Sequence, residues 1–215
     1  MRRLALAAGG FAVALLAAAC SSSGGGGSPT PMASDLVGQN QVAHYQGAGL
    51  VPPQPRPSFT LRDTSGKPFA FATRTAGHPT FLYFGYTHCP DECPATMADL
   101  RLALKQVPAS VAAQTYVVFV TTDVKRDSAP VIQNWLHGYD ADSRATWVGL
   151  RGTQAQIDAA QAAAHIAIAE DKGEMHSTEV LLFGSDDYAH VAFLRSSNEQ
   201  QQMAHDLPIV ADESS

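Results

Sequence analysis

A buried-looking apolar run that breaks straight into two closely spaced cysteines limits this chain more than anything else in it. Residues 81–97 read FLYFGYTHCPDECPATM. Pro79 to Gly85 has the length and aromatic-rich composition of a buried strand. Tyr86, Thr87 and His88 form a short connector, and Cys89 and Cys93 follow four positions apart. Pro90, Asp91 and Glu92 are residues that the first turn of a helix favours. Met97, Leu100, Leu104 and Val107 then recur at helical spacing. The i, i+4 spacing is expected to set both sulfurs on one face of the helix start, where they can bridge or share one metal ion. Free N–H groups at a helix start are expected to favour the thiolate.

The count of cysteines sharpens this reading. The chain holds three. Residues 1–19 carry Arg2 and Arg3 and then an alanine-rich apolar run, the pattern of a signal peptide. The run ends at Leu16-Ala17-Ala18-Ala19-Cys20, which is similar to a bacterial lipoprotein cleavage site with Cys20 as the lipidated residue. Setting Cys20 aside leaves Cys89 and Cys93 as the thiols of the mature domain, one redox or metal pair and no disulfide scaffold. A bridge across so short a loop would stabilise the fold little. Ser21 to Pro31, SSSGGGGSPTP, is a flexible linker. Residues 20–49 are expected to tether a domain spanning 50–211. The net charge of −6 gives no basic footprint for nucleic acid.

Strands and helices alternate through that domain. Phe59 to Leu61 and Pro68 to Phe71 flank the turn Asp63-Thr64-Ser65-Gly66, predicting an N-terminal β-hairpin. Thr115 to Thr122 is a second buried strand, followed by a helix with Pro130 near its start and Asp127 or Ser128 as cap. Trp147 to Leu150 is a short strand, and Thr153 opens an alanine-rich helix reaching about His165. Val180 to Phe183 and Val191 to Leu194 flank Ser185-Asp186-Asp187 as a second hairpin, and a last helix spans about Asn198 to Leu207. The alternation predicts one α/β domain, a mixed sheet flanked by helices.

The segments FLYFGYTHCPDECP, TTDVKRD, WVGL and HSTEVLLF together resemble the Sco/SenC family over roughly residues 50–210. The resemblance implies a thioredoxin-like fold and a part in copper delivery to cytochrome c oxidase. It also implies a copper ligand set of Cys89, Cys93 and His176. The family usually carries an aspartate just before the histidine, where this chain has Glu174-Met175. Chemistry supports the same metal: thiolates and an imidazole suit Cu(I), whereas a structural zinc site wants four such ligands.

The implied function is that of a membrane-tethered copper chaperone. It would take one copper, Cu(I) and in some states Cu(II), and pass it to the oxidase copper-site subunit, with other copper carriers as further partners. Its place would be extracytoplasmic, anchored to the cell membrane as a lipoprotein. The competing reading is a thiol–disulfide oxidoreductase that keeps the oxidase cysteines reduced, with Cys89 attacking and Cys93 resolving. Against a thioredoxin, three residues separate the cysteines where thioredoxins have two. Against a peroxidase, Tyr86 stands where peroxiredoxins carry a threonine. A copper or redox sensor is a third class. His88 is expected to point away from the cysteine pair. Asp123, Arg126 and Asp127 read either as support for the site or as a cap and an ion pair. Glu170 to Glu174 reads as a solvated loop, and Tyr83, Phe84 and Tyr86 as core, with Tyr86 flanking the site.

Overall fold

The computed structural model describes residues 44–213. The signal peptide, Cys20 and residues 20–43 of the tether lie outside the described residues. In chain order the elements begin with β1 (Ala48–Pro55), β2 (Thr60–Asp63), β3 (Pro68–Ala70), the short helix α1 (Phe71–Arg74) and β4 (Thr80–Gly85). Then come α2 (Glu92–Gln106), α3 (Ala109–Gln114), β5 (Tyr116–Thr121), α4 (Ala129–Asp140), β6 (Thr146–Arg151) and α5 (Gln154–Ala163). A 3-10 turn at Asp171–Gly173 precedes β7 (Val180–Phe183), β8 (Tyr188–Phe193) and α6 (Glu199–Asp212). The strands form one mixed sheet in the order β1-β8-β7-β4-β5-β6-β2-β3.

All six residues of β4 are buried. Strand alternation sends Phe81 and Tyr83 to one face and Leu82 and Phe84 to the other. The first face packs on Met97, Leu100 and Leu104 of α2, Ile132 and Leu136 of α4, and Met203, Leu207 and Val210 of α6. The second is covered by Ile157 and Ala160 of α5, by Phe71, and by Leu61 and Phe69 of the N-terminal hairpin. Each large side chain so enclosed contributes about 1.5–3 kcal/mol by leaving water. The expected helices-on-both-faces architecture is the one observed.

Four local details differ from the expectation. The expected domain start at residue 50 falls inside β1, whose pairing with β8 begins at Ala48↔Ala192. Phe71 leaves the hairpin to start α1, burying its ring against Phe183. Residues 109–114 form the unanticipated α3. Helix α6 runs through Pro208 to Asp212, because Leu207 just before the proline and Val210 beyond it both face the core.

A buried carboxylate holds the backbone just before β1. Asp206, fully buried on α6, accepts the backbone N–H groups of Gln46 at 2.9 and 3.1 Å and of Gly47 at 2.8 Å. Asp206→Ala strands those donors and is expected to cost roughly 2–3 kcal/mol. A denaturant midpoint unchanged from the parent chain would count against this role.

Candidate metal centre

Three loops meet at one end of the sheet, and strand direction explains why. β4 and β5 are parallel with Gly85 opposite Thr121, so the segments after both strands leave from the same end. β7 is antiparallel to β4 with Val180 opposite Tyr83, so the segment before β7 arrives there too. The first loop carries Cys89, the second Asp123 to Asp127, and the third His176.

Helix α2 starts at Glu92, later than expected, with Asp91 as its cap accepting the Glu92 N–H at 2.8 Å. Cys89 therefore lies ahead of the helix and Cys93 within its first turn, so the two are not on one helix face. They meet because the loop folds back: the Cys93 N–H donates to Cys89 Sγ at 3.4 Å. Both cysteines are free thiols, Cys89 half-buried and Cys93 fully buried. Gly85 makes this packing possible, since a Cβ there would stand 2.9 Å from Cys93 Sγ.

His176 Nε2 lies 3.3 Å from Cys93 Sγ. Its Nδ1 lies 2.7 Å from the Ser177 carbonyl oxygen. That carbonyl needs a donor, which assigns the proton to Nδ1 and leaves the Nε2 lone pair facing the cysteines. Burial lowers the imidazole pKa below its ordinary value, which keeps the ring neutral at pH 7. Edge-on rings of Tyr83 and Tyr86 flank it, with centroids at 6.2 and 5.5 Å. Burial pushes the Cys93 thiol up to about 12, even though the Tyr83 hydroxyl donates to Cys93 Sγ at 3.2 Å. For Cys93 the expected helix-start lowering is thus outweighed by desolvation.

The three donor atoms lie within 4.8 Å of one another. A trigonal first-row ion with bonds of about 2.0–2.3 Å would set its ligands about 3.5–4 Å apart, so small side-chain shifts suffice. Two sulfurs and one imidazole make a soft donor set, the composition that selects Cu(I). Cys89 and His176 open onto a groove walled in part by Tyr86, Ile168 and Met175.

The surrounding residues hold the loops in place. Arg126 pairs with Asp123 at its base and reaches Glu174 at 2.5 Å, with its guanidinium 5.7 Å from the Tyr86 ring centre. It ties the second loop to the third, two residues before His176. Gly173, at φ +96°, sits so close to Thr122 that a Cβ would overlap the Thr122 carbonyl. The Thr122 hydroxyl donates to the Gly173 carbonyl at 2.7 Å. The segment from Glu170 to Glu174 is therefore docked on the sheet end and is more than a solvated loop. Asp127 does not cap α4: its carboxylate accepts from the Thr87 N–H at 2.9 Å, the Thr87 hydroxyl and the Thr121 hydroxyl, both at 2.6 Å. It braces the cysteine loop. Ser128 takes the cap position without a side-chain bond. His88 turns to Asp127, 3.2 Å away, and belongs to a separate cluster with Asp123 and Asp127. Tyr83 is the site residue that sequence reasoning assigned only to the core, and its O–H gave no separate signal.

The SCO1/SenC family model matches residues 50–211. The chain belongs to the SCO1/SenC family. A "Putative copper-binding protein" of Stutzerimonas stutzeri is 32% identical over 136 residues, 60% of this chain. The match spans 64% of that relative's own length, and the curated relatives matched are covered over less than two thirds of theirs. The structure of Bradyrhizobium japonicum ScoI with copper bound is 25% identical with a TM-score of 0.59, covering 72% of this chain and 98% of the other. BsSco, described as a member of the Sco family of cytochrome c oxidase assembly proteins, is 19% identical with a TM-score of 0.59 over 76% of this chain and 96% of its own, a likeness of fold. The fold of this Sco-family chain is accordingly thioredoxin-like. Among its described residues no helix is long and apolar enough to cross a membrane.

The two thiols of this Sco-family site differ in access, and burial holds the proton on Cys93. At pH 8 a small alkylating reagent is expected to label Cys89 well ahead of Cys93, which stays protonated and enclosed. Peptide mass spectrometry at short times reads the ratio, and equal labelling would contradict the geometry.

Proposed function

We propose that this protein is a copper chaperone that holds one copper through Cys89, Cys93 and His176 and delivers it to the copper centre of cytochrome c oxidase. The observation that carries the reading is the meeting of these three donors within 4.8 Å at one sheet end of an SCO1/SenC chain. Copper is the cargo. Three ligands leave a coordination position open toward the groove, through which an acceptor's thiolate or imidazole can enter. Exchange then proceeds ligand by ligand, with the half-buried Cys89 accessible first and the enclosed Cys93 least accessible. The oxidase copper-site subunit is the proposed recipient, and other copper carriers are proposed as donors. Cys20 is the proposed lipid anchor, placing the domain outside the cytoplasm against the cell membrane and raising the effective concentration of the encounter.

The free, adjacent thiols support a second reading as a thiol–disulfide oxidoreductase. Cys89 would attack a partner disulfide and Cys93 would resolve the mixed disulfide. The Cys89–Cys93 dithiol then gives up two electrons and two protons as the partner gains them. Either activity serves the same oxidase cysteines.

Titrating the reduced chain with Cu(I) and recording X-ray absorption at the copper edge tests the main reading. One equivalent bound by sulfur and nitrogen donors is expected. His176→Ala should weaken binding by more than the 10–100-fold typical of losing an outer-shell partner, roughly, while the cysteines still form a disulfide. Unchanged affinity in that variant would remove His176 from the site. Arg126→Gln, which frees Glu174 and the third loop, should cost about 10–100-fold in affinity with the sulfur and nitrogen donors unaltered in the spectrum. An affinity equal to the parent's would reduce Arg126 to a surface ion pair.

A further inference from the structure

Met175 stands out on the groove wall. At 64% exposed it is the most open large hydrophobic side chain among the described residues. Its backbone is fixed: the Glu170 N–H donates to its carbonyl at 2.7 Å, and its own N–H donates to the Glu170 carbonyl at 3.3 Å. It directly precedes His176 and lines the same groove as Cys89 and His176. The anchored Cα and three rotatable side-chain bonds let a thioether swing without moving the loop.

The remaining coordination position has one direction open to it. β4, Tyr83 and the start of α2 enclose Cys93, so a further donor can arrive only from the groove. The other side-chain donors on that wall are oxygens, the carboxylates of Asp91, Glu92, Glu170 and Glu174 and the hydroxyls of Tyr86, Ser177 and Thr178. Glu174 is engaged by Arg126. Carboxylate and hydroxyl oxygens are in any case hard donors that match Cu(I) poorly, whereas a thioether is soft and neutral. We propose that Met175 is a fourth, labile Cu(I) ligand whose thioether closes the groove side of the Cys89–Cys93–His176 site and gives way to an incoming donor. The proposal rests on the copper reading above and adds a residue to its site. It also separates the oxidation states, since loss of a thioether should weaken the hold on Cu(I) and leave Cu(II) nearly untouched.

Selenium marks the atom. The full chain is made with selenomethionine, loaded with one equivalent of Cu(I), and its X-ray absorption recorded at the selenium edge. Met97 and Met203 are fully buried in the core, away from the groove. A copper neighbour in the selenium spectrum is expected, and it should vanish in Met175→Leu. The same variant should still bind one Cu(I) and should lose it several-fold faster to a competing Cu(I) chelator such as bicinchoninate. Copper bound with no selenium–copper contact, a contact that survives Met175→Leu, or equal release rates would overturn the role of Met175 and leave the chaperone reading standing. Failure of the parent chain to bind Cu(I) at all would defeat both.

Discussion

The two-way pairing of β4 is the constraint from which the rest follows. Hydrogen-bonded in parallel to β5 and antiparallel to β7, it brings two strand exits and one strand entry to a single edge. No local preference could gather residues 89, 126 and 176 in this way; the ladder does it for them. Burial on both faces makes the arrangement rigid, because shifting β4 by one residue would exchange Phe81 and Tyr83 for Leu82 and Phe84 across the sheet. The donor atoms are therefore positioned by the same apolar packing that holds the domain together.

Within that frame the two sulfurs have been given different surroundings. Cys93 is sealed by Gly85, Tyr83 and the first turn of α2, and desolvation keeps its proton in place. Cys89 stays half-buried at the groove, its sulfur against the Cys93 N–H. Metal binding would have to displace the proton that burial protects, which couples uptake to pH and to the softness of the ion. The neutral ring of His176, held by the Ser177 carbonyl, needs no such exchange.

Sequence patterns showed what local physics encodes. The run before Cys89, the alternating strands and helices, and both hairpins were legible because burial leaves a period. β1 was not: its AGLVPPQP is mostly exposed or half-exposed and is held by main-chain pairing to β8, which leaves no apolar pattern. The cysteine register was misread because Asp91 is a better cap than Pro90 is a first turn, so the helix begins late. Asp127 reads as a cap in one dimension and becomes a brace only when Thr87 and Thr121 are folded against it. Arg126 reaching Glu174 spans 48 positions of chain, beyond any spacing rule.

The entry of the chain into the fold has a directional consequence. Tyr45 bonds to Glu213, at the C-terminal end of α6, and that helix end packs beside the β7–β8 turn, where the Ser185 hydroxyl donates to the Ala211 carbonyl. This turn lies at the pole of the sheet opposite the three loops. The described chain therefore enters the fold at His44 and Tyr45 beside the far pole. The sulfur and imidazole donors thus lie at the end of the domain remote from that entry, like the free tip of a stalk.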